Sequence, residues 1–268
     1  MAKGEWILEL DSDDYIEKNC LELLLNEAKE KDIDICSPQM IQVYEDGMPT
    51  GFIVPREDFE FGKVYKKKEA FLLAVPSWKI GMNGALIKKS LWIKCLDLYK
   101  KEGKRDVHDD ENLSRIMLYE ANGVVASRAK YYWRSNSSSV SKLASLDIIG
   151  RNKSNCDLLN ISENYFGKNS FEYNKVIEMD WATYHHMYSQ FKTKASLMNY
   201  DAFSKGIEQL KMWHDRIEWD VVLEEIPEIR TMMFSRFTLS VLYMFIRYPN
   251  KKFIIYGIDK FYKAIFRK

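Results

Sequence analysis

Ala2-Lys3-Gly4-Glu5-Trp6-Ile7-Leu8-Glu9-Leu10-Asp11-Ser12-Asp13-Asp14 is the stretch on which the fold turns. Glu5 to Leu10 is a short, largely apolar run that stops at a cluster of carboxylates, the pattern of a buried strand reaching a sheet edge. Asp11 to Asp14 then reads as a strand-to-helix loop. Beyond it Ile16, Cys20, Leu23, Leu24 and Ala28 recur at helical spacing on one face, with Glu17, Lys18, Glu22 and Lys29 elsewhere, which predicts an amphipathic helix. Ser12 or Asp14 is its expected cap.

Further along, Ile33 to Ser37 and Met40 to Tyr44 read as strands, Glu45-Asp46-Gly47 as a turn and Gly51 to Val54 as a return strand. A short helix is expected over Lys66 to Ala74, ended by Pro76. A loop through Gly81 and Gly84, a strand Ala85 to Ile87 and a helix from Ser90 follow. Another helix starts at Asp109 or Asp110 and carries Leu113, Ile116, Met117 and Tyr119, with Gly123 where a helix terminates. Val124 to Ala126 and Ala129 to Trp133 read as strands. From about Leu146 helical periodicity dominates, so the sequence divides into an α/β part, residues 1–145, and a helical region, residues 146–268.

Composition removes several function classes. Lys plus Arg (40) balances Asp plus Glu (39), which gives no global electrostatic case for nucleic-acid binding. Cys20, Cys36, Cys95 and Cys156 are widely spaced and form no C-x-x-C pair, which argues against a zinc site or a disulfide framework and fits a reducing cytoplasm. The longest apolar-rich stretch, near Leu239 to Ile246, falls far short of the ~20 residues that span a bilayer.

The acidic loop has two readings on its own letters. Neutralising the clustered oxygens of a nucleotide diphosphate takes a divalent cation, usually held by one or two carboxylates, and Asp11, Asp13 and Asp14 supply them. The same residues would also favour the positive end of a following helix. An EF-hand starting at Asp11 fails, because Tyr15 replaces a ligand and Ile16 the required glycine. A phosphotransferase with an apolar strand followed by D-x-D-x-Thr or Val would find Tyr15 in its last place.

The whole lead-in Ala2 to Asp14 resembles the "AKGEYI-x-F-LDSDD" segment of family 2 glycosyltransferases. That resemblance implies a partial GT-A-like, nucleotide-diphospho-sugar transferase sheet with flanking helices, followed by a mainly helical region. It also implies an inverting transfer from a nucleotide-sugar donor to a saccharide or lipid-linked saccharide acceptor in bacterial surface polysaccharide synthesis. Mg2+ or Mn2+ would be bound by Asp11 and Asp13, with Asp14 adjacent at the diphosphate. Asp109-Asp110 in Asp106 to Leu113 is similar to the family's "ED" pair opening a helix, which makes Asp110 the base and Asp109 an acceptor-side acid. Tyr131-Tyr132-Trp133-Arg134 with Ser139-Val140-Ser141 is similar to the "Y-x-YR…S-x-S" ending, so Arg134, Ser139 and Ser141 are expected at donor phosphates. Trp78 to Trp92 is similar to the acceptor-side segment, with Trp78 and Asn83 as sugar contacts.

The resemblance covers roughly residues 2 to 141. The family's "P-x-YN" and "DDGS" segments, which bind the nucleoside, have no counterpart before Ala2. The sequence is therefore expected to be the later part of a catalytic domain, to share its nucleoside site with another chain, or to be a non-catalytic remnant. Residues 247–268 interleave basic residues with Phe253, Tyr256, Phe261, Tyr262 and Phe266. This composition suits either shallow contact with an anionic membrane surface, at the inner face of the plasma membrane, or a packed terminal helix.

Overall fold

A computed structural model describes residues 3–101, 109–135, 148–195 and 197–225, together with Lys252, Ile255 and Tyr256. Contacts divide the chain into two units, Met1–Ala144 and Ser145–Lys268.

In the first unit the described residues form six strands: β1 (Trp6–Leu8), β2 (Tyr15–Ile16), β3 (Ile35–Val43), β4 (Pro49–Val54), β5 (Leu86–Lys88) and β6 (Val124–Arg134). They make one mixed sheet in the order β1-β5-β3-β6-β2, with β4 added beside β3. β3 is its centre, running parallel to β6 and antiparallel to both β4 and β5. Its first half, Ile35 to Gln39, is buried throughout, as suits a central strand covered on both faces. β1 is antiparallel to β5, and therefore parallel to β3, so the β1-helix-β3 unit expected from the sequence is present with β5 inserted between its strands.

Among the described residues four helices accompany the sheet: α1 (Cys20–Glu30), α2 (Lys67–Phe71), α3 (Lys89–Lys101) and α4 (Asp109–Glu120). α1 places Cys20, Leu24 and Ala28 against Cys36, Leu86, Val125 and Ala129 of the sheet, with Ile33 beside them. Each large aliphatic side chain buried there contributes roughly 1.5–3 kcal/mol. Burial raises the thiol pKa to about 11 at Cys20 and about 12 at Cys95. On the other side of the chain's path α4 packs on α2 and α3.

Several local expectations change. The acidic loop does not lead straight into a helix: Tyr15–Ile16 first pairs with Tyr132 and Tyr131 of β6, and α1 begins only after Asn19, which makes no side-chain cap. Ser12 and Asp14 are thus not caps, and Leu23, placed on the buried face by spacing counted from Ile16, is 40% exposed. The two strands expected around Pro38 are one strand, with a register shift between Ser37 and Gln39 opposite β6. A bulge accommodates a residue with no N–H to give, so the ladder continues past it. The strands expected at Val124 and Ala129 are likewise continuous as β6. The hairpin closes as read: Gly47 has φ +84°, and its N–H donates to the Tyr44 carbonyl at 2.9 Å.

The second unit contains α5 (Ile148–Phe166), α6 (Phe171–Lys194), α7 (Tyr200–Arg216) and α8 (Trp219–Glu225). The side chains of Ser170 and Asn199 cap α6 and α7. Tyr173, Ile177, Tyr184 and Phe191 of α6 meet Phe203, Ile207, Leu210 and Trp213 of α7 in its core. Trp181 and Trp219 pack against that core, so the tryptophans of this region are packing residues. At its centre the Asp180 carboxylate accepts from Asn155 Nδ2, Trp213 Nε1 and Arg216 Nη2 at 2.8–2.9 Å.

Candidate active site

β1 ends at Leu8, and the chain turns through Asp11 to Asp14, where the Asp14 N–H donates to the Asp11 carbonyl at 3.0 Å. The three carboxylates of this turn part company. Asp11 and Asp13 are exposed, whereas Asp14 is buried. Asp14 Oδ2 accepts from the Tyr131 hydroxyl at 2.5 Å, and Oδ1 from the Arg134 N–H at 2.9 Å. Burial raises the pKa of Asp14, opposed by these two donors and reinforced by Asp13 and Asp11. Burial, and then the bond to Asp14, also raises that of the Tyr131 phenol, so the proton stays on the tyrosine. Asp14, expected beside the diphosphate, points into the fold and anchors the loop through these two bonds.

Arg134, at the end of β6, is exposed and donates from Nε to the Asp13 carbonyl, which brings its guanidinium to the acidic loop. Asn83, from the loop before β5, donates from Nδ2 to Asp11 Oδ2 at 3.3 Å. Asp110 stands exposed in the first turn of α4. It shares a cavity of about 190 Å³ with Glu9, Asp11, Asn83 and Trp92. The fold therefore brings together Asp11, Asn83 and Asp110, which are far apart in sequence. Asp109 opens α4, but its side chain, Ser139 and Ser141 lie outside the described residues, as does residues 247–268 apart from Lys252, Ile255 and Tyr256.

A larger cavity of about 1020 Å³ adjoins this one, and Asn83 and Asp110 border both. Its walls include Phe52, Trp78, Glu111 and Trp133. Phe52 and Trp133 meet edge to face, with ring centroids 6.1 Å apart. Trp78 lies on the buried Arg115, whose guanidinium carbon is 4.8 Å from the ring centroid. Arg115 Nε donates to the Ala74 carbonyl at 3.3 Å, and its Nη atoms to Glu111 and Asn112 at 3.4 Å. This guanidinium ties the Trp78 wall to the helix that carries Asp110.

Sequence reading gives no site role to Glu9, Tyr131 or Arg115. Glu9 was counted with the strand, yet it faces the smaller cavity, and desolvation, then Asp11, then Asp110, raises its pKa. The signal available was a carboxylate where the resembled segment has Phe.

Among the described residues no three His, Cys, Asp or Glu side chains group as a metal site, and no helix is long and apolar enough to cross a membrane. Two exposed carboxylates on one turn nevertheless fit a hard divalent cation that is shared with a ligand's phosphates. Mg2+ in particular is held in that way by one or two carboxylates rather than by an all-protein cage.

The mixed sheet flanked by helices, with a helical region after it, is a GT-A-like fold. Residues 1–91 match the family model described as glycosyl transferase family 2. The match takes in β1, the acidic loop, Trp78 and Asn83, while Asp110 and Arg134 fall beyond it. Among solved structures, S. aureus TarS 1–349 in complex with UDP-GlcNAc is similar, with a TM-score of 0.52 and 17% identity over 82% of this chain. The chain spans 60% of the length of TarS in that complex. TarS 1–349 alone (16% identity) and with UDP (17% identity) each give a TM-score of 0.52, over 93% of this chain and 69% of theirs. At these identities the likeness is one of fold. No curated protein matches the chain significantly in sequence.

Proposed function

We propose that this chain carries the chemical centre of an inverting glycosyltransferase that moves a sugar from a nucleotide-diphosphate donor to an acceptor hydroxyl. The observation that carries the reading is that Asp110 and Asp11 face one cavity, which is also lined by Asn83, itself bonded to Asp11. Asp11 and Asp13 would hold Mg2+ or Mn2+ at the donor diphosphate. That cation supplies neutralisation of the charge developing on the departing nucleotide. Arg134, already at the Asp13 carbonyl, adds a fixed positive charge beside the same oxygens.

Asp110 takes the proton from the attacking hydroxyl as the sugar–phosphate bond breaks, and a single displacement inverts the anomeric centre. The acceptor, a saccharide or lipid-linked saccharide, lies in the larger cavity, where Trp78 and Trp133 offer apolar ring faces and the Glu111 carboxylate accepts hydrogen bonds from hydroxyls. TarS, bound to UDP-GlcNAc and to UDP, supports a nucleotide-sugar donor. Such a protein works in polysaccharide assembly on the cytoplasmic side of a membrane, which the aromatic, basic stretch 247–268 would touch.

The test is Asp110→Asn assayed against a panel of UDP-sugars. Turnover should fall by about 10²–10⁴-fold while donor affinity is kept. Turnover at the wild-type rate removes Asp110 from the role of base.

A further inference from the structure

A turn carrying three carboxylates repels itself, so its shape has to be imposed by its surroundings. Here the contacts form a closed circuit. The Asp14 N–H holds the Asp11 carbonyl at 3.0 Å, and the Asp14 carboxylate takes the Tyr131 hydroxyl at 2.5 Å. The Tyr131 ring, fully buried, lies against Gly84 so closely that a Cβ there would be 2.1 Å from ring atom Cδ2. Gly84 in turn donates its N–H to the Glu9 carbonyl at 3.1 Å, and its neighbour Asn83 donates to the Asp11 carboxylate at 3.3 Å. The circuit thus returns to Asp11. Tyr131 is the member that touches both arms.

Resting on the reading of Asp11 and Asp13 as the pair that holds the cation, we propose that Tyr131 is a positioning residue for that pair. Its hydroxyl fixes the loop through Asp14 while its ring fixes the Asn83 arm that reaches Asp11. Partners one shell away from a metal are worth about 10–100-fold in its affinity because they orient the ligating atoms. Two further contacts from the same strand steady the loop, since the Arg134 N–H holds Asp14 and its side chain holds the Asp13 carbonyl. Tyr131 differs from them in joining the loop to the segment that lines both cavities.

The experiment is a Mn2+ titration of the whole chain in the presence of UDP, with free Mn2+ read by electron paramagnetic resonance. The proteins are the wild type, Tyr131→Phe, Asp14→Asn, the double variant, Asp11→Asn and Tyr173→Phe. The last loses a comparable hydroxyl-to-carboxylate bond, from Tyr173 to Glu218 at 2.7 Å, in the other unit. Tyr131→Phe and Asp14→Asn should each weaken Mn2+ by about 10-fold or more. The double variant should be no weaker than the worse single, because both cut one connection. Tyr173→Phe should bind as the wild type does. Tyr131→Phe with wild-type Mn2+ affinity, whatever its melting temperature, overturns the positioning role. Wild-type Mn2+ binding that is absent, or indifferent to Asp11→Asn, overturns the cation reading itself and this inference with it.

Discussion

At Gly84 the backbone stands at φ +71°, and the space that a side chain would take is filled by the Tyr131 ring. Two costs then add for Gly84→Ala: overpacking, about 1–3 kcal/mol, and a left-handed backbone on an L residue, about 1–2 kcal/mol. Urea unfolding should show a loss of about 2–5 kcal/mol from those terms together. Gly47, at φ +84° with nothing near its missing Cβ, carries only the second cost, so Gly47→Ala should lose about 1–2 kcal/mol. Equal losses at the two positions would show that the ring moves aside. The comparison also shows what a single sequence hides at this scale. Asp11 to Asp14 could be singled out because its residues are contiguous, and Asp110 because Asp109-Asp110 resembles the family's "ED" pair. The Tyr131 hydroxyl that decides which acid faces inward lies 117 residues from Asp14, and no local pattern joins them.

Strands and helices were legible where apolar spacing ran uninterrupted, as in α4 and the β3–β4 hairpin, and mis-set where one residue broke the pattern. Pro38 looked like an end of β3 because it has no N–H, yet a strand paired on both sides tolerates a bulge at one position. Ile16 drew the α1 pattern too far toward the amino end, since an apolar residue half-buried on a two-residue strand has the same letter as one on a helix. In the helical unit the helical periodicity was visible, but the polar centre was not. The side chain of Asp180 is 2% exposed and receives Asn155, Trp213 and Arg216. Removing one partner of a buried ion pair strands the others and costs about 3–5 kcal/mol. Asp180→Ala should therefore destabilise the α6–α7 pair by that order, read by helical circular dichroism in urea. A loss under about 1 kcal/mol would mean that water reaches the guanidinium and satisfies it.

For the whole molecule, a net charge of +1 gives no long-range field to gather an anionic nucleotide, so the proposed donor site depends on local charge at the acidic loop and Arg134. A cation is then needed to bring a diphosphate toward carboxylates, and ligand binding should register in stability only when both are present. UDP with Mn2+ at about 100 times its dissociation constant stabilises a folded protein by about 2.7 kcal/mol. For a chain of this size that is roughly 5–10 °C in melting temperature, at about 2–4 °C per kcal/mol. Inorganic phosphate with Mn2+ has one phosphoryl group and no nucleoside, so it should shift the transition far less. EDTA should return the UDP sample to the ligand-free value, and Asp11→Asn should be nearly insensitive to the pair. A UDP shift that survives EDTA would place the nucleotide on cationic groups alone. It would leave Asp11 and Asp13 without the cation-binding role proposed for them.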